Sequence, residues 1–247
     1  MCSNFAGVKD PRTYAEVFRA TLPADVVTDV WPGYLSSFIR KPRESDSGDE
    51  AVPEREALAG AFGLIPHWAK DTKITKNTYN ARSETVAEKP SFRDAWKKAQ
   101  HCIIPAQAIY EPDWRSGRAV STRIERSDGR PMGIAGLWSW WRAPDGNPLF
   151  SFTMLTVNAD QHDFMRNFHK PEDEKRMVVI LPEGSFGDWL NAAATDSGEF
   201  LNCFPADLLQ ATGVRMQKPS TTKPEAESKA ASATKTQIPP DSNLSLF

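Results

Sequence analysis

The chain has 247 residues, 30 Lys+Arg against 32 Asp+Glu, a formal net charge of -2 and 40% apolar residues. These figures describe a globular protein able to bury a sizeable core, as one domain with appendages or as two small ones, and exclude fibrous, collagen-like and wholly disordered chains. The longest run of aliphatic and Met residues, MVVIL, is far short of a membrane span, and the opening MCSNFAGVKD has no signal-peptide stretch. The expectation is therefore a cytosolic or nuclear protein without membrane contact, cytoplasmic and nucleoid-associated in a bacterium.

Asp10-Pro11 supplies a helix N-cap and a first-turn proline, and Tyr14, Val17, Phe18 and Leu22 then share one face, which predicts a helix of about three turns. Residues 44–56, ESDSGDEAVPERE, carry six acids and one arginine with almost nothing to bury, and read as a solvated acidic loop. NARSET, from Asn80 to Thr85, reads as a pre-helical loop. Ser91 with Asp94 gives a capping-box-like start to a second helix that buries Phe92, Ala95, Trp96 and Ala99. CIIPAQAIYE is an apolar strand closed by Glu111. Residues 118–126 alternate as a strand, Asp128-Gly129 turns into a strand over 132–141, and Asp145-Gly146 turns into another over 149–157. Short strands are predicted over 176–181 and 213–217, with a third helix over 183–193 burying Phe186, Trp189 and Leu190. The Ser, Thr, Ala, Pro and Lys-rich stretch 218–247 has no periodicity and reads as a disordered tail. Hairpins outnumber βαβ units, so the predicted fold class is α+β: a single domain over 1–217 with an antiparallel barrel-like β core and peripheral helices.

Three cysteines, scattered and without a C-x-x-C pair, argue against a disulfide framework or a zinc site. Cys102 and Cys203 sit in apolar surroundings and read as buried small hydrophobes. Cys2 differs, because removal of Met1 would leave an α-amine beside the thiol. The two titrate near about pH 8 and about 8.5, so both have a reactive fraction at neutral pH. A 1,2-aminothiol condenses with an aldehyde to a thiazolidine ring, and the same terminus is also the nucleophile-and-base pair of an amidohydrolase. Asn80, Arg82, Ser83 and Glu84 either cap and turn the chain or form a polar wall against phosphate. Glu111 at the end of a buried strand suits proton transfer if its pKa is raised, against the plainer reading of a solvated strand end. Of His67, His101, His162 and His169, the last stands at a strand entrance, and His162 and His169 lack a third metal ligand. Trp68 beside Lys70, and Trp114 beside Arg115 and Arg118, are candidates for stacking single-stranded bases.

Together, the cysteine after Met1, GLIPHWAK, NARSETVAEKPSFRDAWKKAQHCIIPAQAIYE, and TVNAD followed by His169 and RMVVILP resemble the SOS response-associated peptidase (SRAP) family, the abasic-site processing proteins. The resemblance implies a single SRAP domain with a groove for single-stranded DNA, no metal or cofactor, and DNA-damage function. It also implies loss of Met1 and capture of the aldehyde of an abasic site by Cys2 as a covalent thiazolidine crosslink. By the same resemblance Asn80 orients Cys2, Arg82 binds backbone phosphate, Glu111 handles protons at the α-amine, and His169 assists ring opening, imine formation and reversal. Trp68 and Trp114 complete the DNA-binding set. The peptidase and hydrolase labels attach to processing of the protein's own N-terminus, and crosslinking with reversal is lyase-like.

The chain departs from the family's usual pattern in having Ser3-Asn4 where Gly-Arg is common, Pro112-Asp113 before Trp114, and KPEDEK between His169 and Arg176. The expected partner is single-stranded DNA containing abasic sites, bound by a monomer. A glutaminase-like cysteine amidohydrolase and a non-covalent DNA-binding module are the competing readings. The near-neutral charge does not oppose DNA binding, since the acidic 44–56 segment masks a mildly positive remainder.

Overall fold

The computed structural model of the chain describes residues 2–46, 49 and 51–213. The tail expected from residue 218, and all but the first residue of the strand expected over 213–217, lie outside the described residues.

In chain order the elements are β1 (Phe5–Gly7), α1 (Pro11–Phe18), β2 (Asp29–Val30), β3 (Leu35–Arg40), β4 (Glu56–Phe62), α2 (Thr75–Thr78), β5 (Asn80–Arg82), α3 (Arg93–Lys97) and β6 (His101–Asp113). They continue with β7 (Val120–Arg126), β8 (Met132–Arg142), β9 (Pro148–Asn158), β10 (Arg176–Val178), β11 (Ile180–Leu181), α4 (Phe186–Asn191) and β12 (Leu209–Gly213). Five strands close on themselves. β8 pairs with β9 and with β6, β3 pairs with β4 and with β6, and β4 runs parallel to β9. The α+β barrel expected from the hairpin turns is the observed architecture, with two parallel pairings, β4 and β5 against β9, set among antiparallel ones.

So narrow a ring fills with aromatic rings from the alternating inward positions of its strands. Phe62 stacks on Phe152 at 5.6 Å, Phe38 meets Phe152 at 5.7 Å, and Phe5 of β1 meets Phe62 edge-on at 5.2 Å. Closure also needs a residue without a side chain where β6, β8 and β9 converge. Gly136 lies opposite both Cys102 and Met154, and a Cβ there would stand 2.4 Å from the carbonyl oxygen of Thr153.

Helices are shorter than their periodicity predicts. Asp10 caps α1 by accepting from the Thr13 N–H at 3.0 Å, but Arg19 turns left-handed (φ 52°) and ends the helix at Phe18, so Leu22 packs on the core from beyond it. The capping box at Ser91 does not form. Phe92 precedes α3 without a side-chain cap bond, because the chain before it is a series of turns hydrogen-bonded to one another. The 183–193 segment begins as a 3-10 turn and becomes α4, burying Phe186, Trp189 and Leu190 as expected. The single strand expected over 176–181 is two: β10 pairs with β9, β11 with β8, and Val179 between them bonds both Leu155 and Ala135.

Other expectations change. The acidic 44–56 segment is tied in at its end, where Glu56 begins β4 and accepts from Arg40 at 2.6 Å, and Arg55 donates to the Phe18 carbonyl at 3.3 Å. NARSET is not a loop throughout: Asn80–Arg82 forms β5, held by β9 through the Asn80–Met154 and Arg82–Thr156 register. Cys102 is buried, but Cys203 is exposed, because its neighbour Phe204 takes the inward position.

His101 is buried at the start of β6, with its Nε2 2.9 Å from the Ser197 hydroxyl and its ring 4.0 Å from that of Trp189. Burial pushes the imidazole down from 6.5 to about 4. The unfolded chain takes up this proton at a higher pH than the folded one, so the stabilisation by the neutral ring is complete above 6.5. It is lost as the pH falls toward 4, a difference of about 3 kcal/mol. Urea unfolding across that interval should show the midpoint dropping with acidification, and the drop should flatten in His101→Asn.

Candidate active site

The site forms where three unrelated segments meet the same end of the barrel. β1 adds to β6 antiparallel, with Phe5 opposite Ile109, and the Tyr110 N–H donates to the Asn4 carbonyl at 3.0 Å. That pairing carries the chain back to Cys2, which is 1% exposed. From the other side, β5 is held beside β9 and presents Asn80, whose Nδ2 donates to the Cys2 carbonyl at 2.7 Å. Asn80 Oδ1 is buried without a hydrogen-bond partner among the described residues, an acceptor of the kind a substrate hydroxyl or amine satisfies.

Glu111 is two residues along β6 from Ile109 and so shares its face; it is 2% exposed, not the solvated strand end of the plainer reading. His169 reaches it from the loop before β10. The backbone there is left-handed (φ 66°), the His169 N–H donates to the Pro112 carbonyl at 2.8 Å, and Phe168 bridges Asp113. These bonds dock the loop on the end of β6 and bring His169 Nε2 within 3.0 Å of Glu111 Oε2, so that an imidazole and a carboxylate stand in contact.

Burial, and next the charge of Glu111, push the Cys2 thiol well above the ordinary thiol range. The thiol is thus held protonated, its hydrogen directed at the Asn4 carbonyl 3.3 Å away. Tyr79, which the sequence reading missed, belongs to the same group: burial raises its phenol first, and electrostatic interaction with Cys2 and Glu111 adds to it. Asn4 was also missed. Its amide donates to Asp29 at 2.9 Å and to the Val30 carbonyl at 3.0 Å, fixing the segment that carries Cys2.

Cys2, Asn80, Glu111 and His169 therefore come together. Arg82, two residues beyond Asn80 on β5, is half exposed and pairs with Glu174 at 2.8 Å. Glu174 also accepts from the buried Arg176 at 2.6 Å, and Arg176 in turn holds Glu84. Trp114 is half-buried just past β6, with Lys170 Nζ 5.4 Å from its ring centre, which places it beside the His169 loop. Trp68 is 48% exposed, and its indole donates to the Pro90 carbonyl. His162 is occupied with structure: Nδ1 accepts from the Phe164 and Met165 N–H groups, and Nε2 lies 2.7 Å from the Phe204 carbonyl. Among the described residues no three His, Cys, Asp or Glu side chains cluster as a metal site, and no helix is long and apolar enough to cross a membrane.

Fold and site define a closed-barrel protein that gathers a thiol, a carboxylate and an imidazole where the first strand joins the barrel. The profile of the SOS response associated peptidase (SRAP) family matches residues 1–218, and the chain belongs to that family. It is 36% identical over 172 residues to the abasic site processing protein YoqW of Bacillus subtilis, an alignment spanning 66% of this chain and 72% of that one. Over 199 residues it is 28% identical to the abasic site processing protein HMCES of Mus musculus, spanning 68% of this chain and 52% of that one. An X-ray structure of a protein from Bordetella bronchiseptica superposes with a TM-score of 0.79 at 49% identity, covering 87% of this chain and all of the other.

Replacing Glu111 by Gln removes a negative charge that opposes thiolate formation. The pH midpoint for alkylation of Cys2 should move down in Glu111→Gln while staying above that of a free thiol, since burial is the larger cause.

Proposed function

We propose that this protein processes abasic sites in single-stranded DNA, capturing the lesion covalently through Cys2 after hydrolytic loss of Met1. The observation that carries this reading is the placement of Cys2, its carbonyl fixed by Asn80 and its thiol influenced by a carboxylate that touches an imidazole. The relatives named abasic site processing proteins support the same substrate class.

The chemistry follows from the groups gathered around Cys2. The freed α-amine of Cys2 is the first nucleophile and adds to the aldehyde carbon of the ring-opened sugar. Glu111 accepts the proton the nitrogen sheds, and His169 donates to the hydroxyl that leaves as water, giving an imine. The thiol then adds to the imine carbon and its proton passes to the nitrogen. A five-membered thiazolidine closes, with one water lost overall. The same pair returns the protons when the ring reopens. His169 also protonates the sugar ring oxygen during opening, Arg82 contacts backbone phosphate, and Trp68 and Trp114 stack on flanking bases.

Intact mass before and after treatment with abasic single-stranded DNA reads Met1 loss and adduct formation together. The expected result is a DNA-sized increment on a chain lacking Met1, stable to heat and detergent and absent in Cys2→Ala. Unreacted processed protein, particularly with ammonia released from a small amide, would overturn the reading in favour of an amidohydrolase. Asn80→Ala removes a hydrogen bond of about 1 kcal/mol, so single-turnover capture should slow by roughly fivefold with the final adduct unchanged in mass.

A further inference from the structure

Arg82 is already engaged by an anion of the protein's own. Its guanidinium Nη1 lies 2.8 Å from Oε2 of Glu174, within the KPEDEK segment that separates His169 from β10. The other Glu174 oxygen accepts from Arg176 Nη1 at 2.6 Å and from Asn158 Nδ2 at 3.2 Å. These bonds, the one from Arg176 foremost, hold the Glu174 carboxyl below the usual range, so it is anionic wherever DNA is bound.

The two arginines are held very differently. Arg176 is 2% exposed and would still have both Glu84 oxygens, at 3.1 and 2.9 Å, and the Thr156 carbonyl at 2.8 Å if Glu174 moved. The side chains of Arg82 and Glu174 are 49% and 35% exposed, so their pair is reachable by solvent and weak. Glu174 Oε2 can therefore release Arg82 without stranding a buried charge. A phosphodiester offers the guanidinium fork two oxygens in the geometry it favours.

We propose that Glu174 is an internal stand-in for a DNA phosphate: it occupies Arg82 in the empty protein and is displaced from it by the backbone phosphate beside the lesion. Arg82 then engages only a ligand that brings its own phosphate, which separates a strand carrying an aldehyde from a free sugar aldehyde. Glu174 acts through Arg82 as a specificity residue. The proposal rests on the reading of Arg82 as a phosphate contact.

The test is non-covalent binding, by fluorescence anisotropy, of a short single strand carrying a tetrahydrofuran abasic analogue, which has no aldehyde. Wild type, Glu174→Gln, Arg82→Ala and the double variant are compared. Glu174→Gln should bind roughly twofold to fivefold tighter, Arg82→Ala weaker, and the gain should vanish in the Arg82→Ala background. Weaker binding by Glu174→Gln would mean that Glu174 preorganises Arg82, and an equal gain without Arg82 would mean diffuse repulsion; either overturns the proposal. If Arg82→Ala weakens binding but Glu174→Gln gains nothing, the proposal falls and the phosphate contact stands. If Arg82→Ala binds like wild type, the phosphate contact itself falls and takes the proposal with it. Should Glu174→Gln fail to fold, Glu174→Asp withdraws the carboxylate from Arg82 while keeping its charge, and the same gain is expected.

Discussion

The 2.7 Å bond from Asn80 Nδ2 to the Cys2 carbonyl joins positions 78 residues apart and ties the segment that carries the thiol to β5. A segment at the edge of a sheet is ordinarily free to fray. Here β1 is held between β2 and β6, Asn4 is bonded to Asp29 and Val30, and Asn80 closes the last gap at Cys2. The consequence is electrostatic as well as geometric. A cysteine held this firmly beneath the surface loses its hydration, and the same packing sets it against Glu111, so its thiol stays protonated.

The barrel explains why such distant residues meet. β6 is the longest strand and the shared member: it pairs with β3 and β8 inside the ring, and with β1 and β7 beyond it. Its far end carries Glu111 and provides the Pro112 carbonyl on which His169 docks. β9 plays the complementary part by holding β5, and therefore Asn80 and Arg82, in register with Met154 and Thr156. Ring closure at Gly136 fixes β8 against both, so the spacing between the Cys2 and Asn80 sides of the site is set by the core rather than by loops.

Much of this was readable from residue patterns, and the exceptions share a cause. The hairpins at Asp128-Gly129 and Asp145-Gly146, and the alternation around them, are local signals and gave the strands of the barrel. β5 was read as a loop because a three-residue strand has no period to detect; its partner β9 creates it. α1 was overextended because apolar spacing continued to Leu22, while the helix end was decided by a left-handed Arg19. Cys2, Asn80, Glu111 and His169, which chemistry and family pattern single out, are brought together by the fold. Tyr79 and Asn4 are not singled out that way, since neither residue type at those positions announces a role until the fold sets them against Cys2 and Asp29.

The departures from the family's usual pattern take up structural contacts in this fold. Where an arginine commonly follows the cysteine by two places, Asn4 spends its amide on anchoring the segment, which gives up a cation near the nucleophile but gains a fixed backbone. The KPEDEK stretch, with two lysines and three acids, places Lys170 over the Trp114 ring on the flank of the His169 loop. Of its acids, Glu174 is bonded to Arg82 and Arg176. Net charge is therefore a poor guide to what this surface attracts. Arg82 is balanced by Glu174, while the buried Arg176 keeps Glu84 as a second partner, so the pairing of charges rather than their sum sets the local field.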